Sequence, residues 1–128
     1  MKVLLDTHAF LWAIARPERL GRYEQLVADP STTRLLSAAS SWEIAIKHGL
    51  GRLPLPERPA DYVPEAMRRL AVEGLPVEHS HALAVSGLPP HHRDPFDRLL
   101  VAQAQQLGLP VLSADPALRR YDIEVLVP

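Results

Sequence analysis

Val3-Leu4-Leu5 is an uninterrupted apolar run stopped by a carboxylate, Asp6, and the same form returns at Val111-Leu112-Ser113-Ala114-Asp115. A short apolar run without polar alternation suits a strand covered on both faces, the situation of parallel sheets. The stretch after the first run, Thr7 to Ala15, carries Phe10, Leu11 and Ile14 at helical spacing, so the chain opens strand then helix. The alternation continues to the C-terminus and predicts an α/β protein, a central parallel sheet flanked by helices on both faces.

The remaining elements follow from period and punctuation. A second helix is expected from about Arg22 to Ala28, ended by Asp29-Pro30, and Arg34 to Ser37 is a second strand. Ser40 and Glu43 have the spacing of a capping box, which predicts a helix starting at Ser40, carrying Trp42, Ile44, Ala45, Ile46 and Leu50, and ending at Gly49 or Gly51. Leu53 to Pro59 holds three prolines and reads as irregular. Asp61 to Glu73 recovers a helical pattern with Pro64 in its first turn, and this middle segment reads as an insertion between core elements. A strand at Leu75-Pro76-Val77-Glu78 and a short helix from Ser80 to Ser86 precede the turn Gly87-Leu88-Pro89-Pro90. The clearest helix runs from Pro95 to Leu107, with Phe96, Leu99, Leu100, Ala104 and Leu107 on one face and Gly108 as its stop. A strand at Pro110 to Ser113, a short helix from Pro116 to about Arg120 and a strand from Ile123 to Val127 close the chain.

A length of 128 residues and 47% hydrophobic content fit one domain, residues 1–128. Lys and Arg number 14 against 15 Asp and Glu, so no global basic field marks a nucleic-acid binder and any nucleic acid must be held locally. The absence of cysteine excludes disulfides, thiolate metal sites and a cysteine nucleophile. The apolar stretch before Asp6 is too brief for a signal sequence or a spanning helix, which makes a cytoplasmic protein without a membrane association the expectation.

Four acids stand where a strand ends or a helix begins: Asp6, Glu43, Asp97 and Asp115. In open parallel sheets ligands gather beyond the carboxyl ends of the strands, and the following helices start at that same edge. Several anionic oxygens there repel one another unless a hard cation neutralises them, and Mg²⁺ or Mn²⁺ suits an all-oxygen donor set. Metal-dependent phosphodiester hydrolysis follows as the expected chemistry. Taken singly, each acid also has a plain reading as a helix cap: Asp94-Pro95 and Asp115-Pro116 have the form of an N-cap followed by proline, and Glu43 is the reciprocal member of its box. The set, more than any member, carries the signal.

Leu4-Leu5-Asp6-Thr7-His8, Ser40-Ser41-Trp42-Glu43-Ile44, His91-His92-Arg93-Asp94-Pro95-Phe96-Asp97-Arg98 and Ser113-Ala114-Asp115 resemble the PIN-domain ribonucleases, in particular the VapC-type toxins of bacterial toxin–antitoxin pairs. The resemblance spans the whole chain in order and spacing. It implies a PIN-like fold, Mg²⁺ or Mn²⁺ dependence, endonucleolytic cleavage of RNA, inhibition by a cognate antitoxin and a homodimer. Carried over residue by residue, Asp6, Glu43 and Asp97 match the family's acidic triad and Asp115 its fourth acid, while Asp94 stands one turn from Asp97 as an outer or substitute ligand.

Around the acids, Arg93 and Arg98 are candidates for phosphate contact, and Thr7 and Ser113 for orienting a carboxylate or a metal-bound water on the substrate side. His91 and His92 are adjacent in a turn, without the spacing of a transition-metal site, and are expected to face solvent or RNA. Trp42 and Trp12 read as core or dimer contacts, and His79 and His81 have no assignable role. Three rivals share the acidic edge. They are a housekeeping or flap-type nuclease acting on other RNA or DNA, a receiver-like signalling module that binds Mg²⁺ without hydrolysis, and a degenerate module that only binds. The receiver lacks support because Lys2 and Lys47 are the only lysines and neither lies late in the chain.

Overall fold

A computed structural model describes residues 1–128. Its centre is a sheet of five parallel strands in the order β3-β2-β1-β4-β5, built from β1 (Lys2–Leu5), β2 (Thr33–Ser37), β3 (Val72–Leu75), β4 (Val111–Leu112) and β5 (Val125–Leu126). Six α-helices accompany it: α1 (Thr7–Ala15), α2 (Glu24–Ala28), α3 (Ala38–Gly49), α4 (Pro59–Leu70), α5 (His79–Ala84) and α6 (Pro95–Leu107). Single-turn or kinked 3₁₀ segments cover Pro17–Tyr23, Val85–Gly87 and Pro116–Arg120.

The apolar run that opens the chain explains the layering. Side chains alternate across a strand, so Val3 and Leu5 join Phe10, Leu20, Ile44, Val63 and Ala66 in a core on one face. Leu4 meets Leu100, Val101, Ala104 and Leu118 on the other. Helices α1, α2, α3 and α4 close the first face and α6 the second, as expected for a sheet buried on both sides.

The middle of the chain departs from the sequence reading. The segment expected to be an insertion belongs to the fold: Val63 and Ala66 of α4 are buried in the first core, and β3 extends the sheet beyond β2 with Leu36 beside Gly74 and Ser37 beside Leu75. Helix α4 starts at Pro59, so Pro64 stands in its second turn and not its first. It stops at Leu70, because Ala71 adopts a left-handed conformation (φ 52°, ψ 49°) and turns the chain into the sheet. The strand therefore occupies 72–75, where the helical period had been extended, and Pro76 to Glu78 lie outside it. An L-residue with a Cβ is strained there by about 1 kcal/mol or more. Ala71→Gly is accordingly expected to stabilise the protein by up to about 1 kcal/mol, seen as a higher urea midpoint at unchanged slope.

The helix after β2 also starts differently. Strand β2 runs into α3 without a loop, and the N-cap is its last residue, Ser37, whose hydroxyl accepts from Ala39 N at 3.1 Å. Ser40 is buried within the first turn, so the expected capping box with Glu43 does not form, and Glu43 is free for another use.

Candidate metal centre

The strand order reverses about β1, since the chain moves from β1 to β2 on one side and later to β4 on the other. A crevice opens at such a reversal beyond the strands' carboxyl ends. Leu5 pairs with Leu36 and with Leu112, so the next residue of each strand brings Asp6 between Ser37 and Ser113. Helices α1, α3 and α6 begin at this edge, and they bring Thr7, Glu43 and Asp97 to it.

Three of the acids serve as helix caps. Asp6 Oδ1 accepts from Ala9 N at 2.7 Å, and Asp94 Oδ1 accepts from Phe96 N and Asp97 N at 2.8 and 3.2 Å. Asp115 Oδ1 accepts from Ala117 N at 2.9 Å. Capping does not exhaust a carboxylate, which offers a second oxygen. Glu43 and Asp97 cap nothing. Glu43, inside α3 and almost fully buried, accepts from the Thr7 hydroxyl at 2.6 Å on Oε1 and from the Lys47 ammonium on Oε2.

The electrostatics show one shared negative pocket. Burial pushes the Asp97 carboxyl up to about 7, helped by the negative charges of Asp94, Asp6 and Glu43, while His92 opposes the rise. Burial likewise raises Asp6, with Glu43 adding to it, against the Ser113 hydroxyl, the Ala9 N–H and the charge of His8. Lys47 is held above its ordinary value by its hydrogen bond to Glu43 and by the charges of Asp94 and Asp97. Asp115 falls below the usual carboxylate range: burial opposes this but is outweighed by the Ala117 N–H and by His92. Four carboxylates therefore sense one another across elements far apart in sequence. A donor set of oxygens with more negative charge than Lys47 can offset fits a hard divalent cation.

Thr7 and Ser113 each stand against one of the acids. Thr7 fixes Glu43, and Ser113, fully buried, touches Asp6 and also accepts from Asp115 N at 3.0 Å. The two arginines part company. Arg93 is exposed, whereas the Arg98 guanidinium turns inward and donates to the carbonyls of Pro89 (3.0 Å) and Val85 (3.1 Å), with longer contacts to Leu88 O, His92 O and Tyr121 Oη. Its five donors are largely spent on tying the 85–92 turn to α6, so it is a staple and not a free phosphate contact.

His92 corrects the expectation of a histidine facing solvent or RNA. Its Nε2 lies 2.7 Å from Asp115 Oδ2 and 3.1 Å from Asp97 Oδ2, inside the acidic pocket. No period or spacing signals this, because the contact depends on how the turn before α6 folds back. Lys47 was missed although a signal existed, since a lysine four residues after a glutamate on a helix is a standard pairing. His81 caps α5 by accepting from Glu78 N at 3.1 Å. Trp42 is not core: it is 62% exposed and stands edge-on to Phe96 at 5.3 Å beside the pocket. Trp12 packs partly against the first core beneath the Arg19 guanidinium.

Comparison with known proteins places this architecture. The chain is 54% identical over 56 residues to "Ribonuclease VapC16" of Mycobacterium tuberculosis, a stretch covering 44% of this chain and 40% of that relative. The match thus spans about two-fifths of the curated relative's length. Among solved structures, VapBC2 from Rickettsia felis bound to a DNA fragment of its promoter superposes with a TM-score of 0.70 at 14% identity, covering 99% of this chain and 98% of that one. DNA-bound VapBC from Salmonella typhimurium gives 0.69 at 22% identity with the same coverage. Likenesses at such low identity speak for the fold alone. The family model of the PIN domain matches residues 3–124, and because that match runs from the first strand to the threshold of the last, the chain belongs to the PIN domain family.

Proposed function

We propose that this protein is a Mg²⁺- or Mn²⁺-dependent endoribonuclease, the toxin of a toxin–antitoxin pair, acting in the cytoplasm as a homodimer silenced by a cognate antitoxin. The observation that carries the reading is the Asp97 carboxyl, raised to about 7 by burial and by three neighbouring carboxylates. Such a concentration of negative charge is costly unless a cation is to be held there. The VapC16 relative is named a ribonuclease, and the structural neighbours are VapBC complexes. No helix is long and apolar enough to cross a membrane.

In this mechanism Asp6, Glu43 and Asp97 would hold the ion, with Thr7 fixing Glu43 and Ser113 steadying Asp6. When bound, the ion lowers the pKa of a coordinated water to make the nucleophile and offsets charge on the phosphate. Asp97, whose carboxyl is raised by its neighbours, would serve as a ligand in its ionised form. Lys47 counters charge at the pocket through Glu43 and, with an ion bound there, would be available to the phosphate. Exposed Arg93 is the arginine suited to guiding the RNA backbone. Asp94 keeps the start of α6 in place and adds negative charge beside Asp97.

The test is cleavage of a structured RNA and of DNA of the same sequence, each with Mg²⁺ and with EDTA. The expected result is scission within the RNA, with Mg²⁺ only. Cleavage of DNA at a comparable rate favours the flap-type or housekeeping reading, and cleavage of neither by folded protein overturns the nuclease reading.

A further inference from the structure

We propose that His92 fills, with a hydrogen-bond donor, the position between Asp97 and Asp115 that a second cation would need, so that this chain holds a single divalent ion and Asp115 acts as a positioning residue. The inference rests on the metal-dependent reading above and concerns how many ions the pocket takes. On that reading Asp6, Glu43 and Asp97, whose charges meet at the Asp97 carboxyl, are the ligands of the one ion.

Ring chemistry carries the step. The side-chain atoms of His92, Asp97 and Asp115 lie within 4.8 Å of one another, close enough to raise the rival idea that His92 is itself a metal ligand. The main chain decides against it. Asp94 N–H donates to His92 Nδ1 at 3.0 Å, so Nδ1 bears the lone pair and the proton of the neutral ring is on Nε2. Nε2 is therefore an N–H donor aimed at Asp115 Oδ2 (2.7 Å) and Asp97 Oδ2 (3.1 Å), with no lone pair for a metal.

Both oxygens of Asp115 are occupied as a result, Oδ1 by Ala117 N and Oδ2 by His92. Glu43 also has both oxygens engaged, but one partner there is the ammonium of Lys47, on a flexible side chain about one-third exposed, which an arriving cation displaces. His92 has no such freedom. Its N–H donates to Tyr121 Oη at 2.9 Å, its carbonyl lies 3.4 Å from Arg98 Nη1, and Nδ1 is tied to Asp94, so main chain and ring are held from three directions. The imidazole links Asp115, on the segment after β4, to Asp97 on α6, and it aligns Asp97 through its Oδ2 while leaving Oδ1 to the ion.

The experiment counts Mn²⁺ bound per chain on metal-stripped full-length protein, by calorimetry and by electron paramagnetic resonance of free Mn²⁺. Wild type is expected to bind one. His92→Ala, which removes the donor, is expected to bind two, and His92→Gln, whose amide NH₂ restores a donor at similar reach, to return to one. Asp115→Asn retains an acceptor for His92 and is expected to weaken the single ion by about tenfold, the low end for an orienting residue, whereas Asp97→Asn weakens it by more than about 100-fold. Two ions in wild type, or a loss at Asp115→Asn as large as at Asp97→Asn, overturns the single-ion assignment while leaving metal dependence standing. No Mn²⁺ bound by folded wild type sinks the metal-dependent reading and the single-ion assignment together.

Discussion

Asp6→Asn is expected to lower Mg²⁺-dependent RNA cleavage by at least about 10³-fold, the loss of several kcal/mol of charge stabilisation, while leaving the fold intact. The substitution separates the two uses of one side chain. An asparagine keeps an oxygen where Asp6 Oδ1 accepts from Ala9 N, and asparagine is as good an N-cap as aspartate, so α1 keeps its start. What disappears is the negative charge at the end of β1, between Ser37 and Ser113. Loss of a buried acid whose own pKa is raised also relieves repulsion with Glu43, so the melting temperature is expected to hold or rise. Turnover on RNA together with thermal melting checks both halves. Cleavage within about tenfold of wild type, given the size expected for a metal ligand, would sink the mechanism.

Asp97→Asn is expected to stabilise the metal-free protein at about pH 8 by roughly 2–4 kcal/mol, and to abolish stabilisation by Mg²⁺. Unfolded, this carboxyl ionises near 3.8; folded, burial and the charges of Asp94, Asp6 and Glu43 keep its proton on until about 7. Folding therefore takes up a proton between those values, and the stability it contributes is present below about pH 4 and lost as pH rises to about 7. Three units at about 1.4 kcal/mol each set the upper bound on the cost of the ionised form, and the shared titration of the pocket reduces it. Asparagine carries no charge to bury, so its advantage grows from about pH 4 upward and is complete above about pH 7. Melting in EDTA across this range reads the effect, as a gain of several degrees at high pH for a domain of this size. Equal melting temperatures of variant and wild type at about pH 8 would show that Asp97 is not held under this repulsion. Added Mg²⁺ should raise the wild-type value, by mass action on the folded state alone, and leave Asp97→Asn unmoved.

Elements with strong local signals came out where the sequence put them. Thr7–Ala15 and Pro95–Leu107 match their expected bounds, because an aspartate before each start and an apolar face are local properties. The failures share a cause. Ser37 took the cap expected of Ser40 because the strand before it ends there, and β3 took residues 72–75 from the end of a helical period because pairing with β2 rewards that register. Neither the pairing partner nor the strand's end is visible in a window of local sequence. Within the pocket, the acids were legible because topology alone sends strand ends and helix starts to one edge. The roles of Arg98 and His92 were not, since a long or planar side chain can turn either way from the same backbone position.

By its sequence alone this protein had determined its class, its alternation of strand and helix, its buried first strand and the carboxylates that collect at the sheet's end. Those features follow from hydrophobic period, capping chemistry and chain direction, all of which act within a few residues. The tertiary structure alone decided which oxygens are spent on caps, that Glu43 is held by Thr7 and Lys47, and that the Asp97 carboxyl stands among three others. It also decided that a histidine reaches between Asp97 and Asp115. Burial and mutual repulsion exist only when distant segments meet, and in this fold the first, third and sixth helices meet at one edge of the sheet.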